Sequence, residues 1–159
     1  MSYLTGGNLK DMRTGGGLTV GQMISAATKE LKDCINAEID AFYSSYRPTM
    51  YVRTKAFKDV FKNAVAKGIE YIPSEGVVRF TLDYNLDKAA HKSWDGGKSD
   101  VVKLLNYGYK TSGKPNKLPY ARNPFNFIEK GVNKFNATNK YGAYANPAPL
   151  CSARKMYRV

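Results

Sequence analysis

A chain of 159 residues, 43% hydrophobic and 13% aromatic, has room for one sizeable core and excludes two ordinary domains. Its 25 Lys and Arg against 13 Asp and Glu, a net charge of +12, point to an anionic partner: nucleic acid, an acidic protein surface or anionic lipid. Cys34 and Cys151 lie far apart and outside any C-x-x-C pair, so free thiols in a reducing compartment are expected rather than a disulfide scaffold.

The charge is unevenly spread. Residues 1–100 carry 14 basic and 12 acidic side chains, whereas residues 101–159 carry 11 basic ones and a single acid, Glu129. No charged start followed by an apolar run opens the sequence, and no stretch approaches the ~20 apolar residues of a membrane span. Neither export by a signal peptide nor membrane anchoring is expected.

Taken from the N-terminus, residues 1–18 hold five glycines and little periodicity, which predicts a flexible arm. Thr19 then opens a helix, with Gln22 completing a capping box. The series Val20, Met23, Ile24, Ala27, Leu31, Cys34, Ile35, Ile39, Phe42, Tyr43 and Tyr46 keeps the spacing of one helical face. Lys29, Glu30, Lys32, Asp33, Glu38 and Asp40 fall on the expected solvated face. Pro48 ends this helix.

Thr54 is placed to cap a second helix carrying Phe57, Val60, Phe61, Ala64 and Val65, with Gly68 as its stop. The period then changes to two. Ile69–Ile72, the turn PSEG and Val77–Tyr84 predict a hairpin with Val78, Phe80, Leu82 and Tyr84 on one face. Asn85 to Gly97 reads as a loop or short helix. The run DVVKLLNYGY, Asp100 to Tyr109, fits strand or helix by pattern, and a strand is favoured at Leu105–Tyr109.

Lys110 to Arg122, with two prolines, a glycine and four basic residues, has loop chemistry. Asn123 and Pro124 predict a helix start, with proline at the first helical position, followed by Phe127, Ile128, Val132 and Phe135 on one face. The chain therefore divides into an arm at 1–18, one domain at 19–137 and a basic, aromatic extended arm at 138–159. The fold class is α+β: a long N-terminal helix and shorter helices on a small antiparallel sheet, with extended N- and C-terminal arms.

Catalytic chemistry is poorly represented. The only histidine, His91, sits in AAHKSWDGG, which matches no nucleophile or metal-ligand spacing. Asp83 and Asp87 flank a strand end, a placement that more often marks a turn. The glycine pairs and triplets lack the strand, helix and Lys-Ser/Thr context of a phosphate loop. No enzyme activity, cofactor or metal site is expected. Tyr107, Tyr109 and Tyr120 interleave with Lys110, Lys114, Lys117 and Arg122, a mixture suited to single-stranded nucleic acid or to a protein interface.

The order of these motifs is more informative than any one of them. A long helix, then P-x-x-Y-x-R-T-x-x-F, a hairpin, L-L-N-Y-G-Y, a basic loop and R-N-P-F-N-F-I-E-K-G resembles the tail-completion and head-tail connector (neck) proteins of long-tailed bacteriophages. The matching positions are Pro48, Arg53, Thr54 and Phe57, then Tyr107 and Gly108, then Pro124 and Phe125, within about Thr19 to Ala137. Lys55 departs from the glycine that many members carry after the Arg-Thr pair.

The resemblance implies a structural virion protein: a ring subunit joining the head, on its portal and head-closure side, to the tail tube around the DNA channel. It would be of tail-completion or tail-terminator type, located in the virion neck and assembled in the host cytoplasm. A hexameric ring is preferred and a dodecamer is the alternative. Neighbouring neck, head-closure or tail-tube proteins, and passing genomic DNA bound without sequence preference, would be its partners. Lys110, Lys114, Lys117 and Arg122 are the candidate contacts to DNA or an acidic partner. From a different class, a free nucleic-acid-binding protein would use the same four residues.

Overall fold

The computed structural model describes residues 11, 13, 17–45, 56–72, 74–75, 77–92, 98–108, 124–138, 140, 143–147 and 157–158. Helix α1 spans Val20–Ser45. Its predicted capping box is present: the Thr19 amide donates to Gln22 Oε1 at 2.9 Å, and the Gln22 amide to Thr19 Oγ1 at 3.1 Å. Two amides that the first turn would leave unpaired are thereby satisfied. The buried stripe Val20, Ile24, Ala27, Leu31, Ile35, Ile39 and Phe42 follows the predicted spacing.

The second helix is not formed as expected. Among the described residues a 3-10 turn, Ala56–Asp59, stands in its place, followed by further three-residue closures from the Lys62 amide to Asp59 O and the Ala64 amide to Phe61 O. Phe57, Val60, Phe61 and Ala64 are still buried, because the turns aim them at the core without a continuous helix. The chain then straightens into strand β1, Ala66–Ile72. Gly68 does not stop a helix. It lies inside β1 at φ 59°, where the register slips between Lys67 and Glu70, a bulge that favours glycine in the left-handed region.

Strand β2, Val77–Leu82, pairs antiparallel with β1, placing Ala66 opposite Leu82 and Ile72 opposite Val77. Phe80, Leu82 and Tyr84 are buried and Val78 partly so, in agreement with the predicted face. A short helix α2, Leu86–Ala89, is capped by Asn85. Strands β3, Ala90–Lys92, and β4, Lys98–Asp100, form a second small hairpin.

Leu105 to Tyr107 belongs to a helix, not to the strand favoured from sequence. Helix α3 runs Val101–Tyr107. Asp100 Oδ1 accepts from the amides of Val102 and Lys103 at 2.9 and 3.3 Å, and Gly108 at φ 72° ends it. The two ends decide what the apolar pattern left open.

Helix α4 spans Phe127–Thr138, three residues later than Pro124. The predicted proline start fails because Asn126 adopts φ 53°, outside the helical region. The amides of Phe125 and Asn126 instead donate to the carbonyls of Leu105 and Asn106 at 3.1 and 3.0 Å. Helix α4 packs along α1, with Phe42 near Phe125 at one end and Glu30 bonded to Thr138 at the other, so the two run antiparallel. At their closest approach Gly131 faces Ile35; a Cβ there would stand 2.8 Å from Ile35 Cα.

One main core joins α1, the 3-10 turn, β2, α3 and α4, while Val20, Ile24 and Phe80 form a smaller cluster beneath the hairpin. The packed core continues beyond Ala137. Ala145 is fully buried, and Asn136 holds its backbone by two bonds, accepting from Ala145 N at 2.7 Å and donating to Ala145 O at 2.9 Å. Strands β5, Asn146–Pro147, and β6, Tyr157–Arg158, pair antiparallel.

Candidate functional site

The strongest convergence of sequence motifs is an aromatic joint at the C-terminal end of α1. Phe42 lies on the buried stripe, and Tyr43 is its neighbour. The 3-10 turn contributes Phe57; the segment entering α4 contributes Phe125 and Phe127. Ring centroids are 5.1 Å apart for Phe42 and Phe125 and 5.7 Å for Phe57 and Phe127, with interplanar angles of 71° and 87°. Tyr43 bridges the two sets, 5.8 Å from Phe42 and 6.3 Å from Phe57.

Edge-to-face pairs of this kind contribute about 0.5–1.5 kcal/mol each beyond area burial. They place the partial positive edge of one ring against the negative face of the next, which fixes orientation as well as contact. Cations cover the margin. Lys130 Nζ stands 4.1 Å from the centre of the Phe125 ring, and Lys58 Nζ 5.2 Å from that of Tyr43 while pairing with Asp40 at 2.7 Å.

Beside the joint lies a residue that the sequence did not single out. Asn106 is fully buried at the end of α3. Its Oδ1 accepts from the Ile128 amide and its Nδ2 donates to Glu129 Oε1, both at 3.0 Å. One side chain thus caps α4 from another helix. The available signal was a lone amide within the apolar run LLNYG, preceding by some twenty residues the only acid of the basic half. Glu129 Oε2 is buried without a hydrogen-bond partner, so Asn106 carries most of the compensation for that carboxylate.

Of the positions carried by the resemblance, Phe57 and Phe125 meet through Phe42, Tyr43 and Phe127. Gly108 ends the helix that delivers Asn106; Tyr107 is 44% exposed, and Pro124 is exposed ahead of α4. Pro48, Arg53, Thr54, Lys110, Lys114, Lys117 and Arg122 lie outside the described residues, as do Tyr109, Tyr120 and Cys151.

Tyr84, Glu38 and Asp83 have structural partners. The Tyr84 hydroxyl donates to Asp100 Oδ2, and burial first, then this bond, raises the phenol well above its ordinary range. Glu38 belongs to the helix interface rather than the solvated face: it is 7% exposed and pairs with Lys134 of α4. Burial, then Glu30, raises the Cys34 thiol, which disfavours the nucleophilic thiolate. Asp83 pairs with Lys67 at 3.7 Å. The backbone of His91 pairs with Ser99 in the second hairpin.

Among the described residues, no group of three or more His, Cys, Asp or Glu is arranged to hold a metal ion. No helix among them is long and apolar enough to cross a membrane. The arrangement is built for packing and orientation: rings set edge to face, a capped helix and paired charges across α1 and α4. No family model, curated protein or solved structure matches the chain.

Proposed function

We propose that this chain is a structural protein of the bacteriophage neck, a ring subunit that joins head to tail tube around the DNA channel. The observation that carries the reading is the convergence of Phe57 and Phe125, two motif positions 68 residues apart in sequence, on one aromatic joint with Phe42 and Phe127. The motif order that suggested the family thus includes residues that lock the long helix to the last one. Stacked rings transmit load between subunits, and such a joint keeps the subunit rigid while arms and surfaces make the assembly contacts.

The test is assembly. Mass photometry of the purified chain should give a closed ring, hexameric by preference, and microscopy of intact particles should locate it at the neck. A protein monomeric under all conditions and missing from the neck of assembled particles would end this reading. The second reading, a free nucleic-acid-binding protein, is favoured by the 11 basic residues against one acid in residues 101–159. It predicts tight binding of single-stranded DNA that weakens steeply with salt as counterions are released; a flat salt profile would remove it.

A further inference from the structure

Away from the aromatic joint, a cleft of about 430 Å³ opens between the first half of α1 and the chain entering β1. Ile24 and Ile69 supply apolar wall, and Val65 stands 59% exposed at its rim. Among the described residues, Lys29 and Lys32 line it and no acidic residue does. Lys32 Nζ is steadied by the carbonyls of Lys62 at 3.4 Å and Ala64 at 3.0 Å. The ion pairs among the described residues involve neither lysine.

The cleft therefore offers apolar contact and two positive charges in one wall.

We propose that this cleft binds an extended acidic peptide segment of a partner protein, with an aliphatic side chain against Ile24 and Ile69 and a carboxylate between Lys29 and Lys32. Charge complementarity selects the acid. The concave apolar wall selects a peptide over nucleic acid, whose phosphates gain from surface cations but not from buried isoleucine. From Gly21 to Lys32 the cleft follows α1 for about 16 Å, the span of about five extended residues. The assignment stands apart from the ring: a monomeric chain would keep the cleft.

A display library of short random peptides, selected on the full-length chain, tests it. Enriched peptides should carry Asp or Glu next to an aliphatic residue. Their affinity, read by fluorescence anisotropy, should fall about tenfold or more in Lys29→Glu and in Val65→Glu. Both substitutions lie at exposed positions, and unchanged circular dichroism would establish that each variant folds. The assignment is overturned if no peptide is enriched, if enriched peptides lack acids, or if both variants bind as well as the parent. Equal competition by a single-stranded oligonucleotide of matched charge would reassign the cleft to nucleic acid. Binding that emerges only after removal of residues 1–10 would give it to the chain's own N-terminus. Either result defeats the proposal.

Discussion

Tyr84 and Asp100 form the contact that ties the end of β2 to the start of α3. Removing the phenol oxygen in Tyr84→Phe keeps the ring but deprives the carboxylate of a donor, at an expected cost of about 1.5–3 kcal/mol at neutral pH. Alkaline conditions give the same bond a signature. The folded chain holds the phenol proton more tightly than the unfolded chain, whose tyrosines titrate near about pH 10. The contribution is therefore complete below that pH and is lost as pH rises beyond it. Denaturant titrations of parent and Tyr84→Phe should show a shallower alkaline decline in the variant. Asn106→Ala acts differently, because it strands the Ile128 amide and leaves Glu129 with less compensation. A loss of about 2–3 kcal/mol is expected from buried groups left unpaired, visible as a lower denaturant midpoint.

Between elements, the crossing of α1 and α4 sets two opposed effects against each other at Gly131. Alanine would improve intrinsic helix propensity by about 1 kcal/mol. Its Cβ, however, would meet the backbone of Ile35 at 2.8 Å, and backbone cannot rotate aside as a side-chain tip can. Overpacking should win, with a net destabilisation of about 1–3 kcal/mol, measured as a drop in Tm. The docking of 143–147 on α4 extends the edge of the main core. Asn136→Ala removes both bonds to Ala145, so amide exchange should quicken in that segment while the amides of α1 keep their protection. Equal loss of protection in α1 would mean that the segment and α1 open as one cooperative unit.

For the whole molecule, the proposed neck role raises the question of whether the basic half contacts DNA or another protein. Under that proposal, replacing Lys110, Lys114, Lys117 and Arg122 together by glutamine should impair DNA retention or ejection in particles while rings still assemble, as mass photometry would record. Loss of rings with DNA handling intact would assign these residues to a subunit interface. Such phosphate contacts read no sequence, which suits a genome in transit.

Much of this fold was legible because the signals are local. The capping box at Thr19 and Gln22, the apolar stripe of α1 and the alternation in β2 each act within a few residues, where propensity and periodicity operate. The expectations that failed depended on distant partners. Leu105 to Tyr107 is helical because Asp100 and Gly108 bound it, a signal present in the sequence but outweighed by the apolar run. Helix α4 starts late because the amides of Phe125 and Asn126 are taken by α3, which no local pattern records. Gly68 reads equally well as a helix stop and as a bulge until β2 lies beside it. The sequence by itself determined an α+β chain with a long capped helix, a hairpin and a lopsided positive charge. Only the tertiary structure decided that Asn106 caps another helix, that Glu38 turns inward to Lys134, and that Phe42, Phe57, Phe125 and Phe127 share one joint. Those contacts join residues far apart in the chain, and their free energy exists only once the intervening chain has closed.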